Sequence, residues 1–237
     1  MRDISAKFWA TLQFLTIIPT PKLEQPAVPQ LSWMPCIGLL IGLILCGLAI
    51  LASAMQPMLL ALLLLLLWFG LTGLLHVDGL ADLVDGLAAA HQDKSRLLAV
   101  MKEPHIGSFA VMALLLLVLA KFVLLLTLTL ASEWYVLLLI PAWARLGAAY
   151  WAEHLPALSD GLAAWCKDAG QARLIFWLTV LLLLSWWVNP ILMLSPLLLW
   201  AWKCFLQHKL GGMNGDCLGA GIEVCELMLL LLCCWSL

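Results

Sequence analysis

Residues 57–86 read PMLLALLLLLLWFGLTGLLHVDGLADLVDG. From Pro57 to His76 this stretch is apolar and carries no acidic, lysine or arginine side chain. A helix that crosses the hydrocarbon of a bilayer needs about 20 such residues, because each adds about 1.5 Å of rise. Pro57 stands where a helix can begin, since the first turn has no use for the missing N–H. The apolar run then meets Asp78, Asp82 and Asp85 without an intervening loop. The fold is therefore set by the bilayer, and the chemistry is expected where the first long acidic segment leaves it.

The rest of the chain agrees. Of its 237 residues 65% are hydrophobic and 11% charged, and the mean hydropathy is +1.05. A soluble domain has about 45–50% apolar and about 25% charged residues, and no water-soluble fold of this length hides so much apolar surface. The expected class is all-α, a polytopic bundle of about seven spans in a single integral membrane catalytic domain over residues 1–237. The spans fall at 33–54, 57–76, 108–131, 134–152, 174–188, 190–206 and 220–236. Ile4, Phe8, Leu12 and Leu15 recur at helical spacing, which predicts a helix over 3–17 lying in the interface, followed by a Pro-rich connector at 19–29. The N-terminus is too polar, and lacks a small-residue cleavage site, for a signal peptide.

Seven spans place the N-terminus and segments 77–107, 153–173 and 207–219 on one side. That side holds Arg2, Lys7, Lys22, Lys94, Arg96, Lys102, Lys167, Arg173 and Lys209, with Lys203 close by. The short turns opposite hold no lysine or arginine, so the positive-inside rule makes the first side cytoplasmic. Asp78, Asp82, Asp85, Asp93, Glu103, Glu153, Asp160, Asp168 and Asp216 fall on it too, and Glu133 falls opposite. The net charge of −2 and the lack of a basic patch exclude nucleic acid as a partner. The eight cysteines form no Cys-x-x-Cys pair and read as small buried hydrophobes.

Three segments carry chemistry. Asp78, Asp82 and Asp85 stand at i, i+4 and i+7, within about 60° of one another on a helix. Three like charges at the end of a span repel, and a hard divalent cation shared with substrate phosphates is the natural compensation. The alternative is a solvated turn of unpaired aspartates. The second segment runs from Gly211 to Glu226. Gly211, Gly212, Gly215, Gly219 and Gly221 allow close approach of backbone N–H groups to a phosphate, and Asp216 and Glu223 can share a helix face. A flexible loop with Gly211, Gly215 and Gly219 as a small-residue packing stripe is the competing reading. The third, Met101 to Phe109, offers Lys102 and His105 to anionic groups, or simply sets topology. Lys121 and Arg145 lie inside spans, where each needs a partner or a polar cavity. Lys121 is too deep for chemistry. Arg145 either pairs with an intramembrane carboxylate or holds a phosphate.

Taken together these segments resemble the adenosylcobinamide-GDP ribazoletransferase (cobalamin synthase) family. The resemblance rests on Phe14–Pro19, the His76–Gly86 segment, Met101-Lys102 with Ile106-Gly107, and Leu210–Glu226, in the family's order over essentially the whole chain. Two features depart from it. Glu103-Pro104-His105 stands where Asp-Ser-Arg is common before Ile-Gly, and Asn214 and Cys217 stand where threonine is common. The resemblance implies a Mg²⁺-dependent phosphotransferase of the bacterial inner membrane. Its substrates would be adenosylcobinamide-GDP and α-ribazole or α-ribazole 5′-phosphate, and its products adenosylcobalamin or its 5′-phosphate and GMP. The expected metal ligands are Asp78, Asp82, Asp85, Asp216 and Glu223, and the expected catalytic groups are His76, Asp82 and Asp85. Lys102, His105, Arg145, Asn214 and Gly215 are expected on the substrate. The lipid bilayer is one partner, and a second copy of the chain or other membrane-associated corrinoid enzymes are further candidates. Two other readings compete with it. A CDP-alcohol phosphotransferase usually has Ala-Arg after the Asp-Gly and further aspartates beyond, which this chain lacks. A divalent-cation or small-solute transporter usually binds near the bilayer midplane.

Overall fold

A computed structural model describes residues 2–22, 27–90, 93–158 and 170–237. Lys167, Asp160 and Asp168, placed on the cytoplasmic side above, lie outside the described residues, as does Cys166. The described chain forms α1 (Arg2–Leu15), α2 (Met34–Leu51), α3 (Pro57–Thr72), α4 (Leu75–Ala89) and α5 (Lys94–Val100). It continues with α6 (Ser108–Leu130), α7 (Ile140–His154), α8 (Gln171–Val188), α9 (Ser195–Lys209) and α10 (Gly215–Trp235). The expected all-α membrane bundle is what folds. Segments Leu31–Leu51, Ser108–Leu130, Trp134–His154, Gln171–Val188, Pro190–Lys209 and Gly215–Trp235 are each long and apolar enough to cross a bilayer.

The seventh span departs from the straight helix expected over 57–76. Gly73 and Leu74 both have φ near +61°, and α3 meets α4 at 85°. Gly73 adopts this left-handed conformation without strain and closes α3. Leu74 adopts it with a Cβ, a conformation unusual for such a side chain. His76 therefore belongs to the first turn of the next helix. Three other helix starts shift. The last helix begins at Gly215 rather than 220, because Asn214 caps it by accepting from Cys217 N at 2.9 Å. Residues 134–138 and 190–194 wind as short 3₁₀ turns before α7 and α9.

α7 sits at the centre, with every residue from Ile140 to Ala149 buried. α2 packs against it through Gly38, where an added Cβ would stand 2.5 Å from Ala142 Cα. Indole N–H groups fasten the other helices: Trp143 donates to Ser185 Oγ at 3.0 Å, Trp151 to Leu199 O at 2.8 Å and Trp177 to Ser32 O at 2.8 Å. Helix ends assigned to one side by the span count also meet in space. Asp85 reaches the start of α6, Arg173 reaches Ser32, and Met213 pairs with Ala157. At the other end, Thr129 donates to Pro57 O.

Between α6, α7 and α10 lies a cluster of ionised side chains. Lys121 Nζ reaches Glu223 Oε2 at 2.6 Å and Glu226 Oε2 at 2.7 Å, and Arg145 Nη1 pairs with Glu226 Oε1. Lys121, Arg145 and Glu226 are fully buried, and Glu223 is 1% exposed. Two cations and two carboxylates cancel, which is how charge survives in a medium without water. The Lys121 ammonium also stands 4.9 Å from the centre of the Trp68 ring, on α3. Replacing Lys121 by Met leaves Glu223 buried without its cation. Unfolding of the purified variant in detergent is expected to show a loss of about 3–5 kcal/mol. The double variant Lys121→Met/Glu223→Gln should recover part of it.

Candidate active site

The His76–Gly86 segment forms a helix with two faces. His76, Leu80 and Leu83 lie on the packed side and are buried, whereas Asp78 is exposed and Asp82 and Asp85 are half-buried. The apolar stripe holds α4 down on the bundle, so the aspartates are left on its open side. The other half of the site is the start of α10. Asn214 caps that helix with its carbonyl oxygen and donates from its amide to Asp216 Oδ2 at 2.9 Å. It therefore fixes the Asp216 carboxylate as well as the helix end.

The two helices cross almost backbone to backbone. A Cβ on Gly79 would stand 2.7 Å from Asp216 O and 2.8 Å from Asp216 Cα, and one on Gly219 would stand 3.1 Å from His76 Cα. Only hydrogen fits at position 79, and at 219 a methyl would force the backbone of His76 back by a few tenths of an ångström. Two stretches more than a hundred residues apart are thereby joined, with Asp78, Asp82 and Asp216 near enough to act on one another's charge. Asp82 feels Asp78, Asp216 and Asp85 as like charges, and Asp216 feels Asp78. The arrangement is frustrated unless positive charge enters it.

Asp85 stands somewhat apart. It accepts from Gly107 N at 2.5 Å and from Ala110 N at 2.9 Å, which satisfies free N–H groups at the start of α6. It ties α4 to α6 and fixes the 101–107 segment that carries Lys102 and His105, both exposed. A cation not singled out by sequence also reaches the site. Lys94 Nζ lies 3.6 Å from where a Cβ on Gly211 would be, beside the glycine loop. Its helix is capped by Asp93, whose carboxyl is held below the usual carboxylate range chiefly by the Ser95 hydroxyl. Gly211 has φ +81°, and among the described residues nothing lies within 4 Å of a Cβ built on Gly215, so the loop is open there. Gly211, Gly215 and Gly219 thus form no continuous packing stripe.

Three expected site residues are placed elsewhere. Glu223 gives its carboxylate to Lys121, and Arg145 gives Nη1 to Glu226, so both belong to the buried ion cluster and not to the open face. Arg145 keeps Nε and Nη2 buried without a hydrogen-bond partner. The His76 ring is 3% exposed, its two nitrogens are buried without a hydrogen-bond partner among the described residues, and Arg145 and Glu226 are among the charges that act on it. Physically, a residue seven positions into α10 is two turns below the surface, where a salt bridge outweighs a distant open site.

The donor set suits a hard divalent cation by its chemistry. Among the described residues no three His, Cys, Asp or Glu side chains close around one point. An ion of the Mg²⁺ kind takes one or two carboxylates and completes its shell with water and substrate phosphates, which an open set such as Asp78, Asp82 and Asp216 allows. Gly79→Ala should separate the helices. Turnover is expected to fall about 100-fold, as for a displacement of about 1 Å at a reacting centre. Stability should fall by only about 1–3 kcal/mol. Paired activity and unfolding measurements check this.

Comparison with known proteins gives one answer. The family model described as cobalamin-5-phosphate synthase matches residues 7–234. A protein of Laribacter hongkongensis named adenosylcobinamide-GDP ribazoletransferase is 49% identical over 231 residues, 93% of each chain. Proteins of the same name from Novosphingobium aromaticivorans and Thiobacillus denitrificans are 42% and 41% identical. They cover 94% and 93% of this chain and 94% and 92% of their own lengths. No solved structure matches. With the convergent aspartates and the helical bundle, these matches identify the chain as a member of the cobalamin-5-phosphate synthase family.

Proposed function

We propose that this chain joins adenosylcobinamide-GDP to α-ribazole or α-ribazole 5′-phosphate, giving adenosylcobalamin or its 5′-phosphate and GMP. The observation that carries the reading is the crossing of α4 and α10, which brings Asp78 and Asp82 to Asp216 beside an open glycine loop. Family membership supplies the substrates, and the relatives quoted above bear the name of this activity.

In the proposed reaction a ribazole hydroxyl oxygen attacks the phosphorus nearer cobinamide. A new P–O ester bond forms, the bond to the bridging oxygen breaks, and its electron pair leaves on GMP. Asp82, the carboxylate with acidic neighbours on every side, takes the hydroxyl proton. Asp78, Asp82 and Asp216 would hold Mg²⁺, which when bound supplies charge neutralisation on the transferring and leaving phosphates. Asp85 and Asn214 position these groups, through α6 and through Asp216 respectively. Lys94, beside the glycine loop, and the exposed Lys102 and His105, on the segment that Asp85 ties to α4, are assigned to the pyrophosphate. Glu223 and Arg145 are left out of the ligand sets because their charges are used within the bundle. The cation distribution supports a site facing the cytoplasm from the bacterial inner membrane.

Asp82→Asn is expected to lower GMP release by about 100-fold or more while the protein remains folded. Retained activity would remove Asp82 from the reaction. Chelation of divalent ions should stop GMP release in the wild type, and added Mg²⁺ should restore it. Incubation with CDP-diacylglycerol and an alcohol separates the phospholipid-enzyme reading, since that activity would release CMP.

A further inference from the structure

A second feature opens on the same face of the bundle, away from the aspartates. A cavity of about 310 Å³ lies between α7, α8 and α9. Leu146, Leu174, Leu178 and Leu199 form its depth, with Pro196 at the far end of α9. His154 and Tyr150 stand at its other end, on the last turns of α7. His154 is three residues from Ala157, which pairs with Met213 of the glycine loop, so this rim belongs to the aspartate face. From His154 to Leu146 the slot runs two turns into the bundle, about 12 Å along α7.

The rim and the depth differ chemically. At the rim the His154 ring packs on Tyr150, 4.6 Å between centres, and Lys203 Nζ stands 5.6 Å from the Tyr150 ring centre. The neighbouring Glu153 has one carboxylate oxygen buried without a hydrogen-bond partner among the described residues. Gln171, at the start of α8, also lines the cavity, and among the described residues the remaining lining, from Leu146 and Leu174 to Leu199, is aliphatic. The polar groups of the lining, Tyr150, His154 and Gln171, all stand toward one end, which suits a ligand with a polar head and an apolar tail. The side of the slot faces the lipid-exposed flank, where Ile175 is 60% and Trp200 59% exposed. An apolar chain can therefore enter laterally from the bilayer.

We propose that this slot is a binding site for one anionic phospholipid, its acyl chain between α7, α8 and α9 and its phosphate at Lys203 and His154. A basic mouth over an apolar interhelical pocket is the arrangement that holds anionic headgroups. The site is separate from the aspartate cluster and stands whether or not that cluster performs the proposed transfer.

Native mass spectrometry tests it, using purified full-length protein delipidated and then incubated with vesicles of phosphatidylglycerol or of phosphatidylcholine. The wild type is expected to retain one phosphatidylglycerol under activation that strips phosphatidylcholine. Lys203→Gln, a change at the rim, should lower that occupancy about fivefold, the worth of one cation against an anionic surface. Leu178→Trp, which fills the slot, should abolish it. Equal retention of the two lipids by the wild type overturns the proposal, as does an unchanged occupancy in Lys203→Gln. It also falls if Leu178→Trp keeps the lipid but raises KM for the nucleoside acceptor, which would make the slot a substrate pocket.

Discussion

The contact between α4 and α10 governs the rest of the molecule. At Gly79 and Gly219 the two backbones touch without side chains between them. Every other arrangement near the site serves or follows from that approach. The buried stripe of α4 presses it onto the bundle. Asn214 starts α10 at the right residue, and Asp85 holds the head of α6 beside both. A membrane bundle gains little from burying apolar surface against lipid, so close packing through small residues carries much of the association. The acidic cluster is electrostatically unfavourable on its own, and the crossing holds it together nonetheless.

Division of labour among the carboxylates follows from depth. Asp78, Asp82 and Asp216 lie within reach of water and leave lone pairs free. Asp85, one turn beyond Asp82, spends its oxygens on two backbone N–H groups. Glu223 and Glu226, two turns and more into α10, can exist as anions only with Lys121 and Arg145 against them. The same residue type thus serves chemistry, architecture or charge balance according to how much solvent remains around it.

Much of this was legible in the sequence. The apolar runs gave the spans, and the i, i+4, i+7 spacing gave a helix with the aspartates on one side, because both signals are local. The signature of an early start to α10 was also present, in Asn214 ahead of Asp216, but the apolar run that marks the span begins later. The bend at Gly73-Leu74 was hidden because Leu74 is a residue type that rarely adopts φ near +61°. The pairing of Glu223 and Arg145 with charges inside the bundle was hidden for a different reason. Their partners lie 102 and 81 positions away, and a single chain carries no mark of which distant charge will neutralise which. Lys94 was passed over because its role depends on where α5 docks, a tertiary fact.

The span of those ion pairs along the chain also bears on assembly. Lys121 and Arg145 are made well before Glu223 and Glu226, and synthesis at about 5–20 residues per second leaves an interval of seconds between them. During that interval two bare cations sit in helices destined for hydrocarbon, without the acids that neutralise them. The bundle cannot settle until its last helix arrives. That helix is also the one that brings Asp216 to the aspartates of α4, so a chain that has not finished inserting lacks the proposed active centre as well.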